Sequence, residues 1–239
     1  MSTKRLAIIT ARGGSKRIPH KNIREFCGRP IIAYSIQAAK ESGVFDTVMV
    51  STDSEEIAEI AKKEGAQVPF LRSEATSGDF ASTADVILEV LQQYEDRGEH
   101  YDVACCIYPT APFITADKLK NAVAILEEKS YDSVMPVTQF SFPPLRGMVM
   151  DGDKVSYKWE QYASARSQDL EPIYHDCGQF YVLNVEIFKE ARKIVTKNTG
   201  AIEISELEMQ DIDNEIDWKL AELKYELLHK DGAAASVRK

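Results

Sequence analysis

The sequence has no long apolar run and no excess of positive charge, and these two absences exclude several kinds of protein. No segment of its 239 residues approaches the roughly 20 apolar residues that span a bilayer, and the amino terminus lacks the pattern of a secretory signal. Lys and Arg number 29 against 38 Asp and Glu, a formal charge of −9, which argues against nucleic acid or an anionic membrane as the main partner. We therefore expect a cytoplasmic protein with a small ligand.

Cysteine is scarce, and the four cysteines do not have the spacing of a zinc site. They are Cys27, Cys105, Cys106 and Cys177. Because zinc sites use closely spaced cysteine pairs, we expect reduced thiols buried in the core, with the adjacent pair at 105 and 106 in a strand. Cys177 lies in a polar segment and is left out of this expectation.

The two commonest glycine-rich phosphate loops are also absent. The sequence contains neither the G-x-G-x-x-G of dinucleotide sites nor the Gly-Lys-Ser/Thr ending of ATPase loops. A dinucleotide enzyme also needs an acidic residue about 20 positions after its glycines. The nearest candidate, Asp53, stands 40 positions beyond Gly13. A nicotinamide-dependent oxidoreductase is therefore disfavoured.

The sequence does contain a dense cluster of positive charge directly after its first apolar segment. Glycines at 13 and 14 follow the apolar run 6–11. Glycine lets the backbone approach an anion and point N–H groups toward it, and cationic side chains offset phosphate charge. An ordinary surface turn is the alternative, but four basic residues and one Asn within eleven positions favour a polyphosphate socket. These residues are Arg12, Lys16, Arg17, Lys21 and Asn22.

Apolar runs alternate with amphipathic segments along most of the chain. This alternation predicts an α/β fold, in which helices cover both faces of a doubly wound, mostly parallel sheet. The predicted strands are 6–11, 47–51, 103–108, 133–137, 179–183 and about 201–204. The predicted helices begin near Pro30, after Ser54 and near Ser82, and a last helix covers about 216–228.

The alternation is interrupted between residues 140 and 174. Two prolines precede a segment that alternates apolar and polar residues around Asp151-Gly152-Asp153, which predicts a projecting β-hairpin. Such a hairpin either docks on another subunit or folds back over its own sheet. We assign 1–139 and 175–230 to the main domain and 140–174 to a hairpin insertion used for dimerisation. We predict a disordered tail over 231–239, which is small and polar.

Two carboxylates, Asp211 and Asp213, stand two positions apart near the other end of the chain. In an extended chain such residues face the same way, with Cα atoms roughly 6–7 Å apart. The pair can hold Mg²⁺ against a phosphate, because Mg²⁺ takes one or two carboxylates together with phosphate and water oxygens. Surface loops and helix caps also produce Asp-x-Asp, so the pair is informative only beside the phosphate socket.

Several short motifs, spread over nearly the whole chain, match one known pattern. They are Ala11-Arg12-Gly13-Gly14-Ser15-Lys16, Lys21-Asn22-Ile23, the segment 28–36, Val50-Ser51-Thr52-Asp53, Pro69-Phe70-Leu71-Arg72 and Ile212-Asp213. Together they resemble the acylneuraminate cytidylyltransferases, which make CMP-activated nonulosonic sugars. The resemblance implies a Rossmann-like α/β domain with a dimerisation hairpin, a homodimer, and a requirement for CTP and Mg²⁺.

The resemblance also implies roles for individual residues. Arg12, Lys21 and Asp211 would be catalytic, and Asp211 with Asp213 would hold the metal. The nucleotide-binding residues would be Ala11, Arg12, Gly13, Gly14, Ser15, Lys16, Lys21, Asn22, Arg72 and Ser82. The sugar-binding residues would be Tyr108, Arg166, Gln168, Asp176, Gln179 and Tyr181. His175 is a candidate base, although a structural role is favoured for it.

Two positions depart from the family pattern. Thr10 stands where the family usually has proline, which affects only the stiffness of the strand exit. Tyr108 stands where the sialic-acid enzymes usually have glutamine, at the sugar pocket. With the motifs at 108–113 and 175–181, this second departure makes the chain more similar to the branch of the family that activates pseudaminic acid.

We therefore expect transfer of CMP from CTP to a nine-carbon 2-keto sugar acid, with release of pyrophosphate. Pseudaminic acid is the preferred acceptor, and legionaminic or sialic acid is the alternative. A catalytically silent nucleotide-binding protein is the alternative of a different class. The expected partners are the two substrates and a second copy of the chain, with no nucleic acid and no membrane.

Overall fold

The computed structural model describes residues 3–235 and contains eleven strands and seven α-helices within that range. The strands are β1 (Arg5–Thr10), β2 (Glu25–Phe26), β3 (Arg29–Pro30), β4 (Thr47–Ser51), β5 (Val103–Ile107), β6 (Ser133–Gln139), β7 (Met148–Asp151), β8 (Lys154–Tyr157), β9 (Tyr174–Asp176), β10 (Phe180–Asn184) and β11 (Thr199–Glu203). The helices are α1 (Ile32–Ser42), α2 (Glu55–Lys63), α3 (Glu74–Ser77), α4 (Thr83–Glu95), α5 (Ala116–Lys129), α6 (Val185–Ala191) and α7 (Glu215–Ala235).

The main sheet has the strand order β11-β6-β10-β5-β1-β4, with β9 paired to β6. Strands β1, β4 and β5 are parallel to one another, and β11 is parallel to β6. Strand β10 is antiparallel to both β5 and β6, and β9 is antiparallel to β6. The predicted α/β fold with a mostly parallel sheet is confirmed. As a result, the carboxyl ends of β1, β4 and β5 meet at one edge, where antiparallel β10 begins.

Hydrophobic residues fill both faces of this sheet, as the alternation of strands and helices predicts. In β1, Ala7 and Ile9 join one core cluster, whereas Leu6 and Ile8 join the other, because successive side chains of a strand point to opposite faces. Residues of α1 and α5 complete the first cluster, and residues of α4 and α6 complete the second. The strands are therefore buried on both sides, which explains why their sequences are almost uninterruptedly apolar.

Local signals set the helix boundaries where the sequence indicates them. The side chain of Ser54 accepts a hydrogen bond from the Ile57 amide at 3.4 Å and caps α2, whose first turn carries Glu55 and Glu56. Helix α1 ends at Gly43, which adopts the left-handed conformation with φ 64°. The last helix differs from the prediction: α7 continues to Ala235, into the segment for which we predicted a tail. Residues 236–239 lie outside the described residues.

The predicted hairpin is present as β7 and β8, which pair only with each other in a separate two-stranded sheet. Met148, Val149, Met150 and Val155 are all exposed on it. The hairpin therefore does not fold back over the main sheet.

None of the helices within residues 3–235 combines the length and apolar composition needed to cross a bilayer.

The cysteines follow the expectation only in part. Cys105 and Cys106 are buried in β5, and Cys177, which was left open, is buried as well. Burial raises the pKa of Cys106 and of Cys177 to about 12, which keeps both thiols protonated at neutral pH. Cys27 is exposed, so the expectation of a buried thiol is wrong for that residue.

Candidate nucleotide-binding site

A cleft of about 300 Å³ opens at the carboxyl edge of the sheet. Three segments form its walls: the loop after β1, the chain between β4 and α4, and the loop after β5. Ligands of open α/β sheets bind at this edge, because the loops there converge from several strands. Polar and basic groups dominate the lining, which includes Arg12, Ser15, Lys16, Arg17, Lys21, Asn22, Arg72, Asp79, Thr83, Tyr108 and Thr110.

The glycine loop is held by polar contacts from both sides. The Gly13 amide donates to Asp53 Oδ1 at 2.8 Å, and buried Asn22 donates from Nδ2 to the Arg12 carbonyl at 2.8 Å. A Cβ at Gly13 would lie 3.2 Å from the Ser54 Cβ, so glycine permits this close approach. Asn22 therefore fixes the conformation of the loop. The Gly13 amide, which the sequence predicts as a donor to phosphate, already donates its hydrogen bond to Asp53.

The Asp79 carboxylate forms ion pairs with two cationic side chains of the glycine loop, Arg12 and Lys16. It accepts hydrogen bonds from Arg12 at 2.8 Å and from Lys16 at 2.5 Å. These two hydrogen bonds, that of Lys16 first, hold the pKa of Asp79 below its usual range. Sequence reasoning missed this residue, because it stands 67 positions from Arg12 and belongs to no motif. The cations assigned to a triphosphate are thus already paired with an anion.

Lys21 joins the basic loop to the acid pair near the other end of the chain. Its Nζ donates to the Ile212 carbonyl at 2.6 Å and lies 3.9 Å from Asp213 Oδ1. Arg17 contacts the same oxygen at 2.7 Å. Burial lowers the pKa of Lys21, and Asp213 and Asp211 oppose this shift. The structure therefore brings the two charged regions predicted from the sequence into contact beside the cleft, across 191 positions of chain. Neither Asp211 nor Asp213 lines the cleft itself.

The backbone of the acid pair is fixed by the first turn of α7. Asp217 Oδ2 accepts hydrogen bonds from the amides of Asp213 at 2.9 Å and Asn214 at 3.0 Å. Desolvation and then the neighbouring Asp213 raise the pKa of Asp211. Two carboxylates are thus held close enough to repel each other, which is the arrangement that a divalent cation relieves.

The donor set at Asp211 and Asp213 fits Mg²⁺ as a partial site. Within residues 3–235, no group of three or more His, Cys, Asp or Glu could hold a metal ion. Mg²⁺ is usually bound by one or two carboxylates and completes its octahedron with phosphate and water oxygens. The pair therefore matches a metal that arrives with a nucleotide rather than a metal enclosed by the protein.

Arg72 lines the cleft, whereas Ser82 caps a helix beside it. Arg72 is buried against the end of β4, where it donates from Nε to Ser51 Oγ at 3.0 Å and from a terminal nitrogen to the Ser51 carbonyl at 2.7 Å, and it lines the cleft. Burial lowers its pKa. Ser82 caps α4 and exchanges hydrogen bonds with Asp85 in a capping box. Ser82 does not line the cleft, although the adjacent Ala81 and Thr83 do.

Replacing Ser82 with alanine should lower the free energy of unfolding by about 1 kcal/mol, the usual cost of losing an N-cap. Because its hydroxyl is engaged at the helix end, we expect little change in the KM for CTP. Urea denaturation and steady-state kinetics measure the two effects. A tenfold rise in KM with unchanged stability would instead support the cytidine contact that the family resemblance implies.

One wall of the cleft carries Tyr108, which packs against buried Tyr181. The Tyr108 hydroxyl lies 3.1 Å from Thr83 Oγ1, and its ring lies 5.6 Å from that of Tyr181 in an edge-on arrangement. Tyr181 donates to Asp176 Oδ2 at 2.5 Å, and burial raises the pKa of this tyrosine well above its usual value. These residues form one connected polar and aromatic surface, and Tyr108 faces the cleft.

Gln179 lies beneath this surface and supports the acid pair indirectly. It is buried and donates from Nε2 to the Glu208 carbonyl at 2.8 Å, while its Oε1 has no hydrogen-bond partner. Lys118 holds the Glu208 carboxylate at 2.8 Å. Gln179 therefore anchors the segment that leads to Asp211, a role that the sequence pattern did not reveal.

Besides Ser82, several residues proposed from the sequence do not line this cleft of their own chain. They are Ala11, Gly13, Gly14, Arg166, Gln168, His175, Asp176, Gln179, Tyr181, Asp211 and Asp213. Arg166 pairs with Asp169 at 2.7 Å within the insertion, and neither Arg166 nor Gln168 lines the cleft. His175 contacts the Asp176 carbonyl at 2.9 Å and lies against the Phe140 ring, so its contacts favour the structural role. The assignment of Arg166 and Gln168 to a sugar pocket within one chain is therefore not supported by their positions.

The doubly wound sheet, with a basic cleft at its carboxyl edge and a carboxylate pair beside it, is the architecture of a nucleotidyltransferase. Comparison with known proteins agrees with this class. A family model described as cytidylyltransferase matches residues 6–214. The chain belongs to the cytidylyltransferase family.

Relatives with curated names match almost the full chain. The pseudaminic acid cytidylyltransferase of Campylobacter jejuni is 37% identical over 228 residues, covering 95% of this chain and 98% of the relative. The CMP-N,N'-diacetyllegionaminic acid synthase of Legionella pneumophila is 34% identical over 229 residues, covering 93% and 96%. A solved CMP:2-keto-3-deoxy-manno-octonic acid synthetase complexed with CTP has a TM-score of 0.68 at 15% identity, covering 95% of this chain and 100% of that chain, which shows a shared fold.

Proposed function

We propose that this protein transfers CMP from CTP to pseudaminic acid, a nine-carbon 2-keto sugar acid. The C2 hydroxyl oxygen of the sugar attacks the α-phosphorus, a new P–O bond forms, and the bond to the departing pyrophosphate breaks. The hydroxyl proton passes to solvent water as the bond forms. The observation that carries this proposal is the meeting of the basic loop and the acid pair, joined by the 2.6 Å contact of Lys21 with the Ile212 carbonyl.

The basic residues would bind and orient the triphosphate. Arg12 and Lys16 line one end of the cleft, and Lys21 lies at the other side of the glycine loop beside the acids. Cationic groups that are positioned before the reaction stabilise charge on the transferring phosphoryl group and on the leaving pyrophosphate. Positioning and electrostatics carry most of the catalysis in such transfers, so no nucleophilic side chain is required.

The carboxylates Asp211 and Asp213 would hold Mg²⁺ together with phosphate oxygens of CTP. When bound, the metal neutralises phosphate charge and makes the phosphorus more electrophilic. Asp213 also forms an ion pair with Arg17, and Asp217 fixes the backbone between the acid pair and α7. These contacts keep the acid pair oriented toward the basic loop.

The choice of sugar rests on the wall formed by Tyr108. The side chain at this position faces the cleft and packs on Tyr181, so it determines the shape and hydrogen bonding of the space beyond the phosphates. The relatives named for pseudaminic acid are 36–37% identical to this chain, and the one named for legionaminic acid is 34% identical. We favour pseudaminic acid on these grounds.

A pyrophosphate-release assay with CTP tests the function and the substrate together. Pseudaminic, legionaminic and sialic acids are compared at equal concentrations, and we expect the highest kcat/KM with pseudaminic acid. A higher value with legionaminic or sialic acid would overturn the choice of sugar while supporting the reaction. Binding of CTP without pyrophosphate release from any of the three would support a silent nucleotide-binding protein.

Asp79 would have to leave Arg12 and Lys16 before phosphates can replace it. We therefore expect Asp79→Asn to lower the KM for CTP by about two- to five-fold, since exposed ion pairs contribute little each. Steady-state kinetics at varied CTP measure this shift. Asp117→Asn, at a carboxylate that is 94% exposed outside the cleft, is the matched control. A raised KM in Asp79→Asn alone would show that the carboxylate assists binding instead.

The hairpin insertion is proposed as a dimerisation element. Its exposed apolar residues are unusual for a surface that faces only water. Arg166 and Gln168 belong to the same insertion and lie outside the cleft of their own chain. A sugar-binding role for these two residues therefore requires the cleft of a second copy.

A further inference from the structure

Helix α7 has two apolar faces, and its own chain covers only one of them. Trp218 and Ala221 are buried on the inner face, where the Trp218 ring lies 5.7 Å from that of Phe26. Four large aliphatic residues lie on the other face and remain exposed. Their exposed fractions are 70% for Ile216, 44% for Leu220, 64% for Leu223 and 50% for Leu227. A helix that is apolar on both faces is normally covered on both.

The exposed residues have the spacing of a coiled-coil seam. They are separated by four, three and four positions, which is the alternation of a and d positions in a heptad. At 1.5 Å per residue the seam is about 18 Å long. We refer to Ile216, Leu220, Leu223 and Leu227 as the α7 seam. Such a seam fits another helix, rather than a sheet or a small molecule.

We propose that the α7 seam binds the same seam of a second copy of this chain, with the two helices antiparallel. This arrangement has a twofold axis and places Leu220 opposite Leu223 of the second copy, and Ile216 opposite Leu227 of the second copy. Every residue of the seam then has an apolar partner. A twofold contact of one patch with itself is the commonest interface between identical chains.

The charges beside the seam favour the antiparallel direction. Lys219 and Glu226 are both exposed and occupy the same flank. In the antiparallel pair Lys219 lies opposite Glu226 of the second copy, and this attraction occurs twice. In a parallel pair Lys219 would lie beside Lys224 of the second copy, which is repulsive.

The charges on the other flank of the α7 seam also favour the antiparallel direction, although these side chains are less exposed. Asp217 and Lys224 are partly buried, and Lys224 already donates to the Met209 carbonyl at 2.8 Å. An antiparallel pair places these opposite charges facing each other, so neither flank introduces repulsion. A contact about 18 Å long covers less area than a standard interface, so we expect a dissociation constant in the micromolar range.

Charge reversal at the exposed flank tests the proposal. At tens of micromolar protein, Lys219→Glu and Glu226→Lys should each halve the particle mass measured by analytical ultracentrifugation, because one twofold contact is lost. The double variant should restore the wild-type mass. Lys63→Glu, at an exposed lysine of α2, should leave the mass unchanged. Circular dichroism and thermal unfolding verify that each variant is folded. An unchanged mass in folded single variants would overturn the proposal.

Cross-linking tests the direction of the helices and the identity of the partner. In a Cys27→Ser background, an antiparallel pair places the two copies of Leu220→Cys about 4.5 Å apart along the axis, and the two copies of Leu227→Cys about 16 Å apart. A short bismaleimide should therefore link Leu220→Cys to itself and should not link Leu227→Cys. Equal linkage at both positions would indicate parallel helices. No linkage of folded Leu220→Cys to itself would overturn the helix pairing.

Discussion

Replacement of Asp211 by alanine is expected to reduce CTP-dependent pyrophosphate release by more than about 100-fold, because several kcal/mol of transition-state stabilisation depend on the metal site. Desolvation and the neighbouring Asp213 raise the pKa of Asp211. Removing one carboxylate should therefore relieve repulsion and leave the fold intact. Pyrophosphate release at saturating CTP, with Mg²⁺ varied, measures the loss.

The controls for this variant separate metal binding from folding. Asp117→Ala changes an exposed aspartate outside the cleft and should retain wild-type turnover. Thermal unfolding should give Asp211→Ala a melting temperature no lower than that of the wild type. Turnover by Asp211→Ala within threefold of the wild type would refute the proposed metal role of this pair.

Replacement of Lys21 by methionine is expected to lower kcat/KM for CTP by about 100- to 1000-fold, the usual cost of removing a group that stabilises developing charge. Lys21 contacts the carbonyl between the two acids and lies 3.9 Å from Asp213. Methionine keeps the length of the side chain and removes its charge. Because burial lowers the pKa of Lys21, a neutral side chain should be accommodated without loss of stability.

Lys16→Met is the matched comparison for Lys21→Met. Lys16 is 78% exposed and shares Asp79 with Arg12, so its loss should lower kcat/KM only severalfold. Steady-state kinetics and thermal unfolding are measured for both variants. If the two variants lose activity equally, the basic loop acts as a diffuse charge and the specific role of Lys21 is wrong.

The elements of the main domain could be predicted because their signals are local. Strand β4 matches the predicted 47–51 without any shift, and Ser54 and Gly43 mark helix ends as their chemistry requires. The hairpin was also predictable, because an Asp-Gly turn between alternating residues specifies it. The end of α7 was not predictable from the sequence, because a small polar sequence is compatible with both a helix and a disordered tail.

The candidate site was only partly predictable. The basic loop and the acid pair stand out by composition, and the structure places them together. Asp79 and Glu208 were missed, since their importance comes from partners far along the chain: Lys16 and Arg12 for the first, Lys118 and Gln179 for the second. Ser82 was assigned to the nucleotide, although its hydroxyl caps α4.

By itself, the sequence determined the α/β fold, the cationic glycine loop and the closely spaced pair of carboxylates. Hydrophobic periodicity and local charge are properties of consecutive residues, so the sequence alone is enough to recognise them. Only the tertiary structure decided that Lys21 contacts Ile212, that Asp79 occupies the basic loop, and that one face of α7 remains uncovered. Contacts between distant segments depend on how the whole sheet packs, and no local pattern specifies that packing.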